Sequence, residues 1–285
     1  MPAIQPARLK QQAALLAEQY QNPAAFLRGL HHLLDFYADR SHRPGQAGKP
    51  RPLTQAYKVG PPVIRQIFQE LVPLASMNIP AALELCDQLW QQPFLEFRLL
   101  AVMLLGQIPV DHPEPVLQRV NTWLTVDLEE HLTQAVLNHG LIYLQQAHLP
   151  AVMQFIQEWL DRPNIFNQQL GLKALLPMIR NPEIENLPTC FRLVHPLVRV
   201  APAGLRSDLL DVLASFAQRS PQETAFYLRQ TLALPNSPDT PWLVRQSLHA
   251  FPKEIQDSLR KAARGPEPVA RQTESARRGR GQPGG

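Results

Sequence analysis

"CDQLWQQPFLEFRLLAVMLLGQI", residues 86–108, can be laid over "IQEWLDRPNIFNQQLGLKALLPMI", residues 156–179. Pro93 falls on Pro163, and each opens onto an apolar run that closes in an isoleucine, Ile108 or Ile179. Between them lies "VNTWLTVDLEEHLTQAVLNHGLI", residues 120–142, so that Trp90, Trp123 and Trp159 recur at separations of 33 and 36 residues. "FRLVHPLVRVAPAGLRSDLLDVLASFA" and "FYLRQTLALPNSPDTPWLVRQSLHAF" continue the beat with less similarity. Apolar residues repeat at helical spacing almost throughout, and alternating strand patterns are absent. Paired helices at a period in the thirties are the signature of a HEAT-like array, in which each pair buries its apolar face on its neighbours.

Working outward, the pattern predicts an all-α fold of roughly fourteen helices: a HEAT-like α-solenoid of about six to seven antiparallel pairs curved around a concave groove. The expected organisation is a single repeat domain over 1–263, a basic loop at about 39–58, and a disordered basic tail over 264–285. Many of the 29 prolines fall between the apolar runs, where a first-turn position costs no hydrogen bond. Asn22-Pro23, Asn181-Pro182 and Ser220-Pro221 read as helix cap plus first-turn proline.

The charge excludes some classes and suggests others. The formal net charge is +4, yet residues 264–285 hold five arginines against two glutamates, a net +3, which leaves the body near neutral. Residues 40–65 carry Arg40, Arg43, Lys49, Arg51, Lys58 and Arg65 with no acid. Such a concentration suits a phosphate backbone, and equally a solvated loop. Arg192, Arg199, Arg206, Arg229 and Arg245 recur near predicted helix ends. On one face they would track phosphates; otherwise they compensate helix dipoles. No window approaches a membrane span, and an apolar signal core is not seen at the N-terminus. Cys86 and Cys190 read as buried free thiols in a reducing cytoplasm. No Gly-rich phosphate loop, Ser/His/Asp arrangement or CxxC pair occurs, and neither a cofactor nor a metal is expected.

"TWLTVDLEEH", residues 122–131, holds the candidate site. Asp127 is either a reactive carboxylate behind an aromatic wall or the cap of a helix. In the second reading Asp127 and Glu130 form a capping box, and Trp123 packs as Trp90 and Trp159 do. Asp127 and His131 have metal-pair spacing but no third ligand nearby. His31, His32 and Asp35 read as a helix surface.

Several local wordings together resemble the bacterial alkylpurine DNA glycosylases of the AlkC/AlkD type. The residues that carry the resemblance are Leu89, Trp90, Pro93, Glu96 and Arg98, then Tyr57, Val59, Pro61 and Arg65, and the late junction "SPQETAFYLRQTL". It covers roughly residues 50–250. It implies hydrolysis of the N-glycosidic bond of a cationic alkylated purine in damaged or distorted duplex DNA, by a monomer in the cytoplasm, nucleoid-associated when bound. One carboxylate would stabilise the developing sugar cation, with aromatic walls around the charged base. Trp123 and Asp127 match the family's first site pair, so the resemblance implies Asp127 as catalytic, with Trp123 and Phe166 lining the cleft. Arg43, Lys49, Arg51, Lys58 and Arg65 would hold the DNA backbone. Where the family has an arginine pair, this chain has Asn167, Gln168 and Gln169, and Asp211 stands at the second tryptophan position. The alternative is a non-catalytic scaffold that binds a protein partner or structured nucleic acid.

Overall fold

The computed structural model describes residues 5–39 and 54–264. They fold into fifteen α-helices with two short 3-10 turns, and the one strand-like feature among them is an isolated bridge. The all-helical class and the packing of helices in neighbouring pairs follow the sequence pattern, as in an α-solenoid. No helix among the described residues is long and apolar enough to cross a membrane. The chain divides into two compact units that meet in sequence at Asn181 and Pro182.

The first unit holds α1 (Pro6–Ala17), α2 (Pro23–Tyr37), α3 (Pro61–Met77), α4 (Ile79–Trp90), α5 (Leu95–Leu105), α6 (Glu114–Trp123), α7 (Glu130–His139), α8 (Ile142–Ala147), α9 (Leu149–Asp161) and α10 (Ile165–Arg180). Helices α1, α3, α5, α7 and α10 pack successively in one row. The second row runs from α2 to α4, then to α6 and α9. There the Asp87–Arg119 pair joins α4 to α6, and Trp159 Nε1 donates to Asn121 Oδ1 at 3.2 Å to join α6 to α9. Cross-row packing of α3 on α4, α4 on α5 and α9 on α10 closes the core between the rows. Each leucine fully buried there, such as Leu85, Leu89, Leu100 and Leu104, contributes about 1.5–3 kcal/mol.

Small residues set how closely neighbouring helices approach. A Cβ on Gly106 would meet the His139 carbonyl oxygen at 1.7 Å, so the ends of α5 and α7 touch backbone to backbone. A Cβ on Gly171 would fall 2.6 Å from the Leu160 side chain, so there the backbone of α10 packs on a side chain of α9.

The caps follow the predicted logic in part. Asn22 accepts from Ala25 N–H and Asn78 from Ala81 N–H, each ahead of a first-turn proline. Asn181 instead ends α10, and Pro182 opens no helix. Ser220 precedes Pro221 but its side chain makes no cap bond; its carbonyl accepts from the Thr224 hydroxyl at 2.7 Å.

The second unit holds α11 (Leu187–Val200), α12 (Arg206–Arg219), α13 (Pro221–Ala233), α14 (Thr240–Ser247) and α15 (Lys253–Ala262). Its arginines mostly brace loops. Arg199 donates to the carbonyls of Pro235 and Asn236, and Arg229 donates to Ser258 Oγ. Arg206 donates to the Ala201 carbonyl, pairs with Asp239 at 3.4 Å and lies over the Trp242 ring at 4.6 Å. Arg192 donates to Thr189 Oγ1. Arg199 and Arg206 thus hold connections between helices, Arg229 joins α13 to α15, and Arg192 bonds within its own helix.

Candidate functional site

The recurring tryptophans end the helices of the second row: Trp90 closes α4, Trp123 closes α6 and Trp159 lies near the end of α9. The rings of Trp90 and Trp123 stack with centroids 4.4 Å apart and planes 9° apart. The Arg98 guanidinium lies over the Trp90 ring, 5.5 Å from its centroid. Trp123 is 5% exposed. The packing role read from the register is therefore present in the fold, and such a stack adds about 0.5–1.5 kcal/mol beyond its buried area.

After Trp123 the chain makes an open turn before α7, and Asp127 lies in that turn, exposed. It is not the helix cap. The cap position is Glu129, whose side chain makes no cap bond. Glu130 does not reach back either: its carboxylate pairs with Lys173 Nζ on α10 at 2.9 Å and accepts from Gln134. The capping-box reading fails because α7 starts two residues later than the pattern suggested. No described residue donates a hydrogen bond to the Asp127 carboxylate or pairs with it.

Glu129 instead ties the turn to a distant segment. Its Oε1 accepts from the backbone N–H of Thr54 at 2.7 Å and from the Thr54 hydroxyl at 3.1 Å. Its Oε2 lies 3.2 Å from His131 Nδ1. His131 thus faces Glu129, and no group of three metal-ligating side chains forms among the described residues.

The segment that begins at Thr54 crosses to the previous turn as well. Gln55 N–H donates to the Pro93 carbonyl at 3.1 Å, and Leu95 N–H donates to the Gln55 carbonyl at 2.7 Å. Glu96, buried at the start of α5, accepts from Lys58 N–H at 2.7 Å. Lys58 adopts φ 56°, a left-handed conformation that this bond helps to hold. Tyr57 OH lies 2.6 Å from His31 Nδ1, and both rings pack with Phe94 and Phe97. Burial, and after it the neighbouring His32, lowers the His31 pKa. Burial also raises that of Tyr57, with Asp35 and Glu96 adding to the effect. His31 is therefore half-buried in an aromatic cluster with Tyr57, Phe94 and Phe97, whereas His32 and Asp35 are exposed, as a helix surface requires.

Of the expected DNA-contacting cations, Lys58 and Arg65 are exposed, on the segment before α3 and on α3 itself. Arg43, Lys49 and Arg51 lie outside the described residues. Phe166 is half-buried in the first turn of α10, where its N–H is held by Asn164 Oδ1 at 2.8 Å. Gln168, at one of the expected arginine positions, donates to the Leu160 carbonyl. Asp211 sits within α12 in the second unit. The Glu129–Thr54 tie was not foreseen, since nothing local marks two residues 75 apart in sequence as partners.

With this geometry in hand, a family model described as DNA alkylation repair enzyme matches residues 51–238. The chain belongs to that family. No curated protein and no solved structure matches it. The matched span takes in the whole Thr54–Lys58 segment, both tryptophan turns, Asp127 and Phe166, and most of the second unit. DNA alkylation repair is thus the function that the family indicates for this chain.

Proposed function

We propose that this alkylation repair protein binds damaged or distorted duplex DNA and hydrolyses the N-glycosidic bond of a cationic alkylated purine. The observation that carries the reading is the Asp127 carboxylate, exposed and unpaired in the turn after Trp123, at the place where the family's pattern puts its carboxylate. In the reaction the alkylated purine leaves with the bonding electron pair and becomes neutral. The sugar gains oxocarbenium character, water adds to its anomeric carbon, and that water loses a proton. Asp127 acts on the charge that develops at the sugar, where a carboxylate lowers the barrier without itself forming a bond. A carboxylate already tied to a donor would be a weaker partner for that charge, and Asp127 carries no such tie.

Trp123 and Phe166 line the cleft in this reading. Trp123 contributes as the inner member of the stack with Trp90. Lys58 and Arg65 hold backbone phosphates together with Arg43, Lys49 and Arg51, which precede Thr54 in sequence. Salt then weakens binding steeply, because each neutralised phosphate releases counterions.

A second reading, a non-catalytic scaffold of the same family that still binds DNA, draws on Asn167, Gln168 and Gln169 in place of arginine and on Asp211 in place of tryptophan. One experiment separates the two. Release of 3-methyladenine and 7-methylguanine from alkylated duplex is measured for the wild type and Asp127→Asn, alongside duplex binding against salt. Loss of about 10²–10³ in rate with binding intact supports catalysis by Asp127. Equal release from both removes Asp127 from the mechanism. No release from a wild type that binds DNA selects the scaffold, and salt-independent binding defeats the phosphate-holding role.

A further inference from the structure

His131 is the second residue of α7, and its side chain is 47% exposed. Its Nδ1 lies 3.2 Å from Glu129 Oε2, while the other oxygen of that carboxylate accepts from both the N–H and the hydroxyl of Thr54. Glu129 is thus anchored by a segment 75 residues away in sequence. The carboxylate of Glu130 is taken by Lys173 on α10 at 2.9 Å, so Glu129 is the acid that the imidazole meets. No described residue bonds to His131 Nε2. A ring nitrogen that faces a carboxylate carries the proton, which leaves the other nitrogen as an acceptor. An anchored carboxylate, an imidazole and an open ring nitrogen, in that order, are the parts from which an oriented general base is built.

The base stands at the end of α7 that carries Asp127. The two side chains are four residues apart in sequence, and both are exposed. Between them the chain turns, with Leu128 N–H donating to the Thr125 carbonyl at 3.1 Å. Four residues span at most about 14 Å, a gap that one sugar and one water fill. In the hydrolysis the cationic purine leaves as a neutral base with the electron pair of the N-glycosidic bond. The entering water then has to lose a proton as its oxygen bonds to the anomeric carbon. Asp127 answers the charge on the sugar, and a second group is free to answer that proton.

We propose that His131 is the general base of this reaction, its Nε2 taking the proton of the entering water while Glu129 holds the ring. The inference rests on the reading of Asp127 as the carboxylate that faces the sugar. The imidazolium passes its proton to solvent before the next turnover. Glu129 is a positioning residue, and the imidazolium that forms beside it is stabilised by its charge.

The test is single-turnover release of 7-methylguanine from alkylated duplex by the full chain, above the spontaneous background, between about pH 5 and 8, where histidine ordinarily changes charge. His131→Gln should be slower by about 10²-fold at the upper end, the low end for a positioned proton acceptor, because a cationic purine departs readily. The wild-type rate should fall on acidification, and that fall should be absent from His131→Gln while duplex binding is unchanged. His139→Gln, exposed at the far end of α7, should keep both the rate and the fall. Glu129→Gln should slow the wild type and have no further effect on His131→Gln, a non-additivity that a purely structural role does not produce; a full cost in both backgrounds overturns the positioning role. Release by His131→Gln at the wild-type rate, beside a slow Asp127→Asn, overturns the assignment and leaves the reading of Asp127 standing. A slower His131→Gln that keeps the acid fall overturns it as well, since the loss is then structural. No release by the wild type removes the reading of Asp127, and the base goes with it.

Discussion

Two turns follow tryptophan-ended helices in the first unit, and both receive the segment 54–58. After Trp90 the polar groups that meet the segment are committed to the fold. The Pro93 carbonyl and the Leu95 N–H bind Gln55, and the Glu96 carboxylate is buried on Lys58 N–H. After Trp123 the same segment is held by Glu129 through Thr54, and Asp127, two residues earlier, is left in solvent. Two carboxylates fasten the segment and one does not. The difference separates acids that build the architecture from the acid open to chemistry, a distinction that their shared place after a tryptophan conceals.

The largest effect that tests this contrast is at the tryptophan common to its second half. Trp123→Ala removes a buried indole and its stacking partner's support, and should cost about 3–5 kcal/mol in denaturant unfolding. Trp90→Ala should cost less, because Trp90 is only half-buried. A reversal of that order would mean that the stack is not anchored on the Trp123 side.

Next in size is Glu96→Ala. It takes the acceptor from Lys58 N–H and leaves a left-handed lysine without the bond that holds it, at about 1.5–3 kcal/mol for a hydrogen bond to a charged group. Glu129→Ala should cost about 1–2 kcal/mol, since Glu129 is less buried and Thr54 can turn to water. A double-mutant cycle of Glu129→Ala with Thr54→Ala reads the side-chain part of that tie alone. A coupling near zero would show that the backbone N–H carries the whole contact.

Much of the fold was legible in the sequence because its signals are local and repeated. The Trp90, Trp123 and Trp159 register, the apolar helical spacing and the first-turn prolines each mark an element where it stands. Asp127 was legible as a candidate but not as an uncapped one. Capping depends on which residue begins the helix, and Leu128 and Glu129 continue the turn before α7 starts at Glu130. The tie that defines the site's neighbourhood joins Thr54 to Glu129, a pairing that only the packed rows create. The same holds for His31, which looks like a surface residue on α2 until Tyr57 and Phe97 arrive from other segments.

The smallest expected stability effect belongs to Asp127 and sharpens the contrast most. Asp127→Asn removes no hydrogen bond or ion pair to a described residue, and an exposed position of this kind changes stability by no more than about 0.5 kcal/mol. The substitution keeps the side chain's shape and deletes its charge. If unfolding is unchanged while release of alkylated purines falls by orders of magnitude, the carboxylate acts on the substrate and not on the fold. If stability drops as it does for Glu96→Ala, Asp127 is a third architectural acid, and the contrast between the two turns disappears. Stability and rate measured on the same preparation distinguish these outcomes, because a fold defect moves both quantities and a lost electrostatic partner moves only the second.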